Sequence, residues 1–159
     1  MSIQKEKNLS EIHKANTINL KGKKIAIVIS EWNTAITESL RAACYQTLIE
    51  NQIQETDIKQ VYTPGSFELP FIAKQMALKG MDAVVCLGCI IQGETRHFDF
   101  IADATANGIM NVGLETNVPV IFGVLTTNTI EQAQDRAGGR HGNKGVEAAM
   151  TCLKVLEVL

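Results

Sequence analysis

Apolar residues along the chain follow two rhythms: short continuous runs bounded by turn residues, and longer stretches that repeat every three to four positions. Lys24 to Ser30 follows a Lys-Gly-Lys-Lys turn and is β-branched without polar alternation, so it reads as a strand buried on both faces. Asn33 or Thr34 can cap a helix with Ile36, Leu40, Cys44 and Leu48 on one stripe, which the polar stretch Glu50 to Asp57 ends. Ile58 to Thr63 reads as a second strand. Pro64-Gly65 forces a turn, and Ser66 is the expected cap of a helix carrying Leu69, Ile72, Ala73 and Met76. Pro70 falls in its first turn and Gly80 closes it. Asp82 to Cys89 is the third strand. His97 to about Asn117 is helical, with Phe98, Ile101, Ala102, Thr105, Ile109 and Val112 in register, and its Gly108 and Gly113 suit close helix packing. Pro119 opens a fourth strand, Val120 to Leu125, and a short helix after Thr126-Thr127-Asn128 ends at Gly138-Gly139. Gly142-Asn-Lys-Gly145 precedes a last helix with Val146, Ala149, Met150, Leu153 and Leu156 inward.

Strands alternating with helices at this spacing predict an α/β fold, a three-layer α/β/α sandwich with a parallel, flavodoxin-like sheet and right-handed crossovers. Residues 24–159 form a single domain, and residues 1–23 are an N-terminal extension. In such sheets ligands bind beyond the carboxyl ends of the strands. Four segments fall there: Ser30 to Asn33, Thr63 to Glu68, Gly88 to His97 and Thr126 to Asn128.

The chain has 159 residues, 45% of them hydrophobic, and a formal net charge of -2. One core suffices at that length, and neither a disordered tail protein nor a charge-driven nucleic-acid binder fits that balance. The expected partners are small molecules or copies of itself, with no nucleic acid and no membrane. The first 24 residues are polar and contain no apolar stretch of signal-peptide kind, so the expected location is cytoplasmic. Cys44, Cys86, Cys89 and Cys152 are then expected to be reduced core fillers. Cys86-Leu-Gly-Cys89 has redox or zinc spacing, but it lies in a strand with no second pair, so no metal is expected.

Gly93-Glu94-Thr95-Arg96-His97 joins the third strand to its helix, where free N–H groups and a positive dipole face an anion. His97 at the first turn is a candidate acid–base residue; a surface or capping histidine is the alternative. Thr95 can bind phosphate through its hydroxyl and backbone, while Glu94 must turn outward or pair with Arg96 to avoid repelling it. Arg136 and Lys144 are candidate anion ligands, alone or across a subunit boundary, and equally plain exposed cations. Trp32, the only tryptophan, follows the first strand at the rim, which favours stacking on a planar heterocycle over loop packing. Phe122 is core by pattern. Glu68 can accept from amide-like N–H donors or complement a helix dipole.

Taken together, Trp32-Asn33, Pro64-Gly-Ser-Phe-Glu-Leu-Pro70, Gly88-Cys-Ile-Ile-Gln-Gly-Glu-Thr-Arg-His-Phe-Asp99, Pro119-Val-Ile-Phe-Gly-Val-Leu-Thr-Thr-Asn128, Gln132-Ala-Gln-Asp-Arg-Ala-Gly138 and Gly142-Asn-Lys-Gly145 resemble the 6,7-dimethyl-8-ribityllumazine synthase family. The resemblance runs from about Lys24 to the C-terminus. It implies condensation of 5-amino-6-(D-ribitylamino)uracil with 3,4-dihydroxy-2-butanone 4-phosphate, the penultimate step of riboflavin biosynthesis, without cofactor or metal. His97 would transfer protons, and Arg136 with Glu94 and Thr95 would hold the butanone phosphate, supported by Lys144. Trp32 would stack on the pyrimidine, where many members carry phenylalanine. Ser66, Phe67 and Glu68, with Cys89, Ile90, Ile91 and Phe122, would surround the uracil and ribityl chain. Glu94 and Arg96 depart from the small or neutral residues common there. The resemblance further implies pentamers with shared active sites, a shell of twelve pentamers as the larger option, and riboflavin synthase as a candidate partner. Residues 16–20 would add a strand to a neighbouring subunit.

A non-catalytic flavin or pterin carrier, or a purely structural shell protein, would keep Trp32 and the fold but would not need His97 and Arg136 together. An electron-transfer flavodoxin would want a glycine between Ser30 and Thr37 for its phosphate loop. A receiver domain would want acidic residues clustered at the strand ends.

Overall fold

The computed structural model describes residues 20–159. The expected strand-adding segment lies outside the described residues save for Leu20, which is buried. Strands β1 (Ile25–Ser30), β2 (Ile58–Thr63), β3 (Ala83–Ile91) and β4 (Val120–Thr127) pair in parallel in the order β2-β1-β3-β4. Helices α1 (Thr34–Glu50) and α5 (Lys144–Glu157) cover one face, and α2 (Leu69–Leu78) and α3 (His97–Thr116) cover the other. A short α4 (Ile130–Asp135) follows β4. This is the three-layer sandwich that the alternation of elements predicts.

Period-two alternation decides which side chain joins which core. In β1, Ile25, Ile27 and Ile29 pack with Leu40, Cys44 and Leu48 of α1 and Met150 and Leu153 of α5. Ala26 and Val28 pack with Leu69, Ala73 and Met76 of α2 and Ile109 of α3. Each fully buried Ile or Leu contributes about 1.5–3 kcal/mol of transfer free energy, so this strand anchors both layers. The same alternation sends Cys86 and Cys89, three residues apart on β3, to opposite faces of the sheet. They cannot act as a redox pair, and burial pushes both thiols up, that of Cys89 to about 11. Within α3, a Cβ on Gly108 would sit 2.7 Å from Pro70 Cγ, so glycine lets α3 close onto α2. Gly113 faces only ordinary contact distances.

Several boundaries differ from expectation. β3 and β4 each run two residues further, because Ile90 pairs with Thr126 and Ile91 with Thr127. Asn33 precedes α1 in the left-handed region (φ 58°, ψ 47°) and makes no capping bond; its amide donates to the Cys89 carbonyl at 2.9 Å instead. Ser66 does not cap α2 but opens a single 3-10 turn, Ser66–Glu68, braced by Gly65 N–H donating to Glu68 Oε2 at 3.0 Å. After α4, Ala137–Gly139 (β5) and Gly142–Asn143 (β6) form a small antiparallel hairpin, with Gly138 at φ 105° and Gly142 at φ 77°. Among the described residues no helix is long and apolar enough to cross a membrane.

Candidate active site

The chain runs outward from β1 to β2 and then crosses back over β1 to β3, so the winding direction reverses between β1 and β3. The crevice between their carboxyl ends is therefore the switch point at which open α/β sheets take ligands. A cleft opens there in two lobes of about 310 and 330 Å³ that share Trp32, Ser66, His97 and Ile101. Cys89, Ile90 and Ile91 at the end of β3 line the first lobe together with Thr95. Phe67 and Glu68 line the second. Nine of the residues singled out in the sequence thus surround one cavity.

Trp32 is fixed through its backbone, whose N–H donates to Pro64 O at 3.1 Å and continues the β1–β2 ladder past the strands. Its ring stays 70% exposed. A tryptophan packed as loop filler would be covered, so the ring is a platform facing the cleft. His97 opens α3, and its backbone N–H reaches Thr95 Oγ1 at 3.4 Å. A hydroxyl that accepts from the helix retains its own proton for an anion. The imidazole bonds to nothing among the described residues, which leaves both ring nitrogens for a ligand. The N–H groups of Gly93, Glu94 and Thr95 likewise have no acceptor among the described residues. A Cβ on Gly93 would meet nothing within 4 Å, so the cradle is open. Glu94 is exposed and lines neither lobe, while Arg96 lies 3.8 Å from Asp99 and over the Phe100 ring.

Three candidates lie elsewhere. Arg136, which closes α4, donates to His141 O at 2.6 Å and pairs with Glu147 of α5 at 2.9 Å; Lys144 meets the same carboxylate at 3.2 Å. The cations that suited an anion thus share one buried acid on the α5 side. Phe122, expected in the core, is 37% exposed because β4 is the edge strand of the sheet among the described residues. It lines an apolar groove of about 660 Å³ with Met110 and Leu114 of α3 and the C-terminal Leu159.

Sequence reasoning assigned Asn33 to capping and Phe98 and Ile101 to the helix stripe, yet all three line the cleft. Only the core positions of that stripe, Thr105, Ile109 and Val112, are buried. The signal for the others was the position of the helix start, one turn beyond the sheet edge.

A parallel α/β sandwich with an aromatic platform, an open N–H cradle and a free imidazole at its switch point has the fittings to take a planar, anionic small molecule. The family model for 6,7-dimethyl-8-ribityllumazine synthase matches residues 22–159, and the chain belongs to that family. It is 53% identical to the 6,7-dimethyl-8-ribityllumazine synthase of Cytophaga hutchinsonii over 152 residues, which cover 95% of each chain. Identity to the enzyme of that name from Christiangramia forsetii is 45% over 95% of this chain and 91% of the relative. For Flavobacterium johnsoniae it is 46% over 94% and 79%.

Proposed function

We propose that the chain condenses 5-amino-6-(D-ribitylamino)uracil with 3,4-dihydroxy-2-butanone 4-phosphate in the two-lobed cleft, as a transferase of riboflavin biosynthesis. The observation that carries the assignment of the site is the convergence of Trp32 and His97 on both lobes of one cavity, beside unpaired N–H groups. Trp32 stacks on the pyrimidine, and Ser66, Phe67, Glu68 and the Cys89–Ile91 strand end surround the uracil and its ribityl chain. Gly93 to Thr95 receive the phosphate. An amine and a ketone held face to face react with most of the help coming from orientation. His97 moves protons as water leaves in imine formation, as phosphate leaves, and as the second nitrogen closes the ring on the remaining carbonyl and expels a second water.

Within one chain Arg136, Lys144 and Phe122 stand away from this cleft, so in our reading they complete the cleft of a neighbouring copy. The groove along α3, β4 and Leu159, which nothing covers among the described residues, supports such an assembly: Met110, Leu114 and Phe122 expose a contiguous apolar surface beside an edge strand. A pentamer is the assembly we propose, with a shell of twelve pentamers as its larger form and riboflavin synthase as a candidate partner of that shell. Four buried free thiols suit a reducing, cytoplasmic location.

An absorbance assay for lumazine formation tests the site. His97→Ala should lower kcat roughly 10²–10⁴-fold with little effect on either KM, whereas Arg136→Ala should chiefly raise KM for the butanone phosphate. An unchanged rate in both variants would reject the site.

A further inference from the structure

β1 ends on Ser30, whose hydroxyl is the one buried side-chain polar atom among the described residues without a hydrogen-bond partner. Native chains seldom leave such a group unpaired without a use for it. Ser30 follows Ala26 and Val28 on the sheet face toward α2 and α3, one step past the pairing of Ile29 with Leu87, and so sits beside Gly88 of β3. A Cβ on Gly88 would lie 2.6 Å from Ser66 Oγ and 3.3 Å from Ser30 Oγ. Gly88 does not occupy the left-handed region, so the space and not the backbone calls for glycine here. Its missing side chain lets the Ser66 hydroxyl settle against β3 next to that of Ser30. The two oxygens make no direct hydrogen bond and are no farther apart than those two distances laid end to end, a span that one bridging water closes.

Ser66 Oγ has no partner of its own among the described residues, although its backbone is held, with Thr105 Oγ1 donating to Ser66 O at 3.3 Å. Ser66 lines both lobes of the cleft and Ser30 lines neither. The arrangement is a hydroxyl closed off from the cleft behind one that lines it. We infer that Ser30 is a positioning residue for the polyol-bearing pyrimidine: its hydroxyl donates to one water that in turn donates to Ser66 Oγ, and this turns the Ser66 proton outward to an acceptor on that substrate. Two hydrogen bonds in series strengthen one another, so the inner hydroxyl raises the donor strength of the outer one. The inference rests on the proposed contact between Ser66 and this substrate.

Steady-state kinetics on Ser30→Ala, Ser66→Ala and the double variant test it. Ser30→Ala should raise KM for the aminouracil roughly three- to tenfold, the worth of one hydrogen bond. KM for the butanone phosphate, kcat and Tm should hold. In the Ser66→Ala background the second change should add nothing, because Ser30 acts only through Ser66. An unchanged KM in Ser30→Ala, equal penalties in both backgrounds, or a matching rise in both KM values with a lowered Tm would each overturn the inference. If Ser66→Ala alone leaves KM unchanged, the Ser66 contact fails and the inference with it. If Ser66→Ala raises KM and Ser30→Ala does not, only the inference fails.

Discussion

Asn33 shows how one residue serves both fold and site. It holds a left-handed backbone conformation at the start of α1, which asparagine tolerates better than most residues, and its amide ties the Trp32 loop to the Cys89 carbonyl at the end of β3. Asn33→Ala loses the bond and gains backbone strain, so urea unfolding should show destabilisation of about 1–3 kcal/mol. Asn33→Gly loses only the bond and should cost roughly half as much; equal costs would mean that the backbone conformation contributes nothing. Trp32 itself was legible in the sequence, because a lone aromatic after the first strand can only fall on the rim. The use of Asn33 was not, since its partner lies 56 residues away and a cap was the local alternative. Only the capping role expected of Ser66 failed, for the same reason: a short polar residue before an apolar stripe looks alike whether it caps the helix or lines a cleft.

At the scale of elements, the tightest packing is between α1 and α5. A Cβ on Gly145 would collide with the Leu40 carbonyl oxygen, a backbone atom that cannot move aside without displacing α1. Gly145→Ala should therefore destabilise by about 3 kcal/mol or more, while Gly93→Ala, with open space around it, should stay within about 0.5 kcal/mol. Thermal melts of the two variants compare them, and similar Tm values would refute the close helix contact. The start of α5 was legible in Gly142-Asn-Lys-Gly145, whose Asn143 Oδ1 accepts from Gly145 N–H at 2.8 Å as a cap. The β5–β6 hairpin was not, because strands of three and two residues carry no alternation to detect. It is pinned by one contact far along the chain, Ser39 Oγ donating to Ala137 O at 2.6 Å, and by a local one, Arg140 bonding Asp135, whose carboxyl it holds below its usual range. The ends of β3 and β4 were likewise set by each other's pairing, which no single segment encodes.

For the molecule as a whole, the question is where Arg136 acts. In its own chain it is spent on Glu147 and His141, on the α5 side, while Trp32 and His97 share a cleft at the switch point. If neighbouring copies exchange these parts, every working site draws His97 from one chain and Arg136 from another. Leu114→Glu, at a position 71% exposed on α3, should leave the fold of the single chain intact yet place a charge in the apolar groove. Sedimentation should then report a species near the 17.4 kDa of one chain, with activity lost alongside the assembly. Co-expression separates a shared site from a merely associated one. Assayed at butanone phosphate well below the raised KM, where His97→Ala and Arg136→Ala chains are each nearly inactive alone, the two mixed at random should regenerate intact pairs at about a quarter of their interfaces and recover activity in that proportion. A mixture no more active than its components would mean that His97 and Arg136 do not meet across subunits, and the groove on β4 would then need a different occupant.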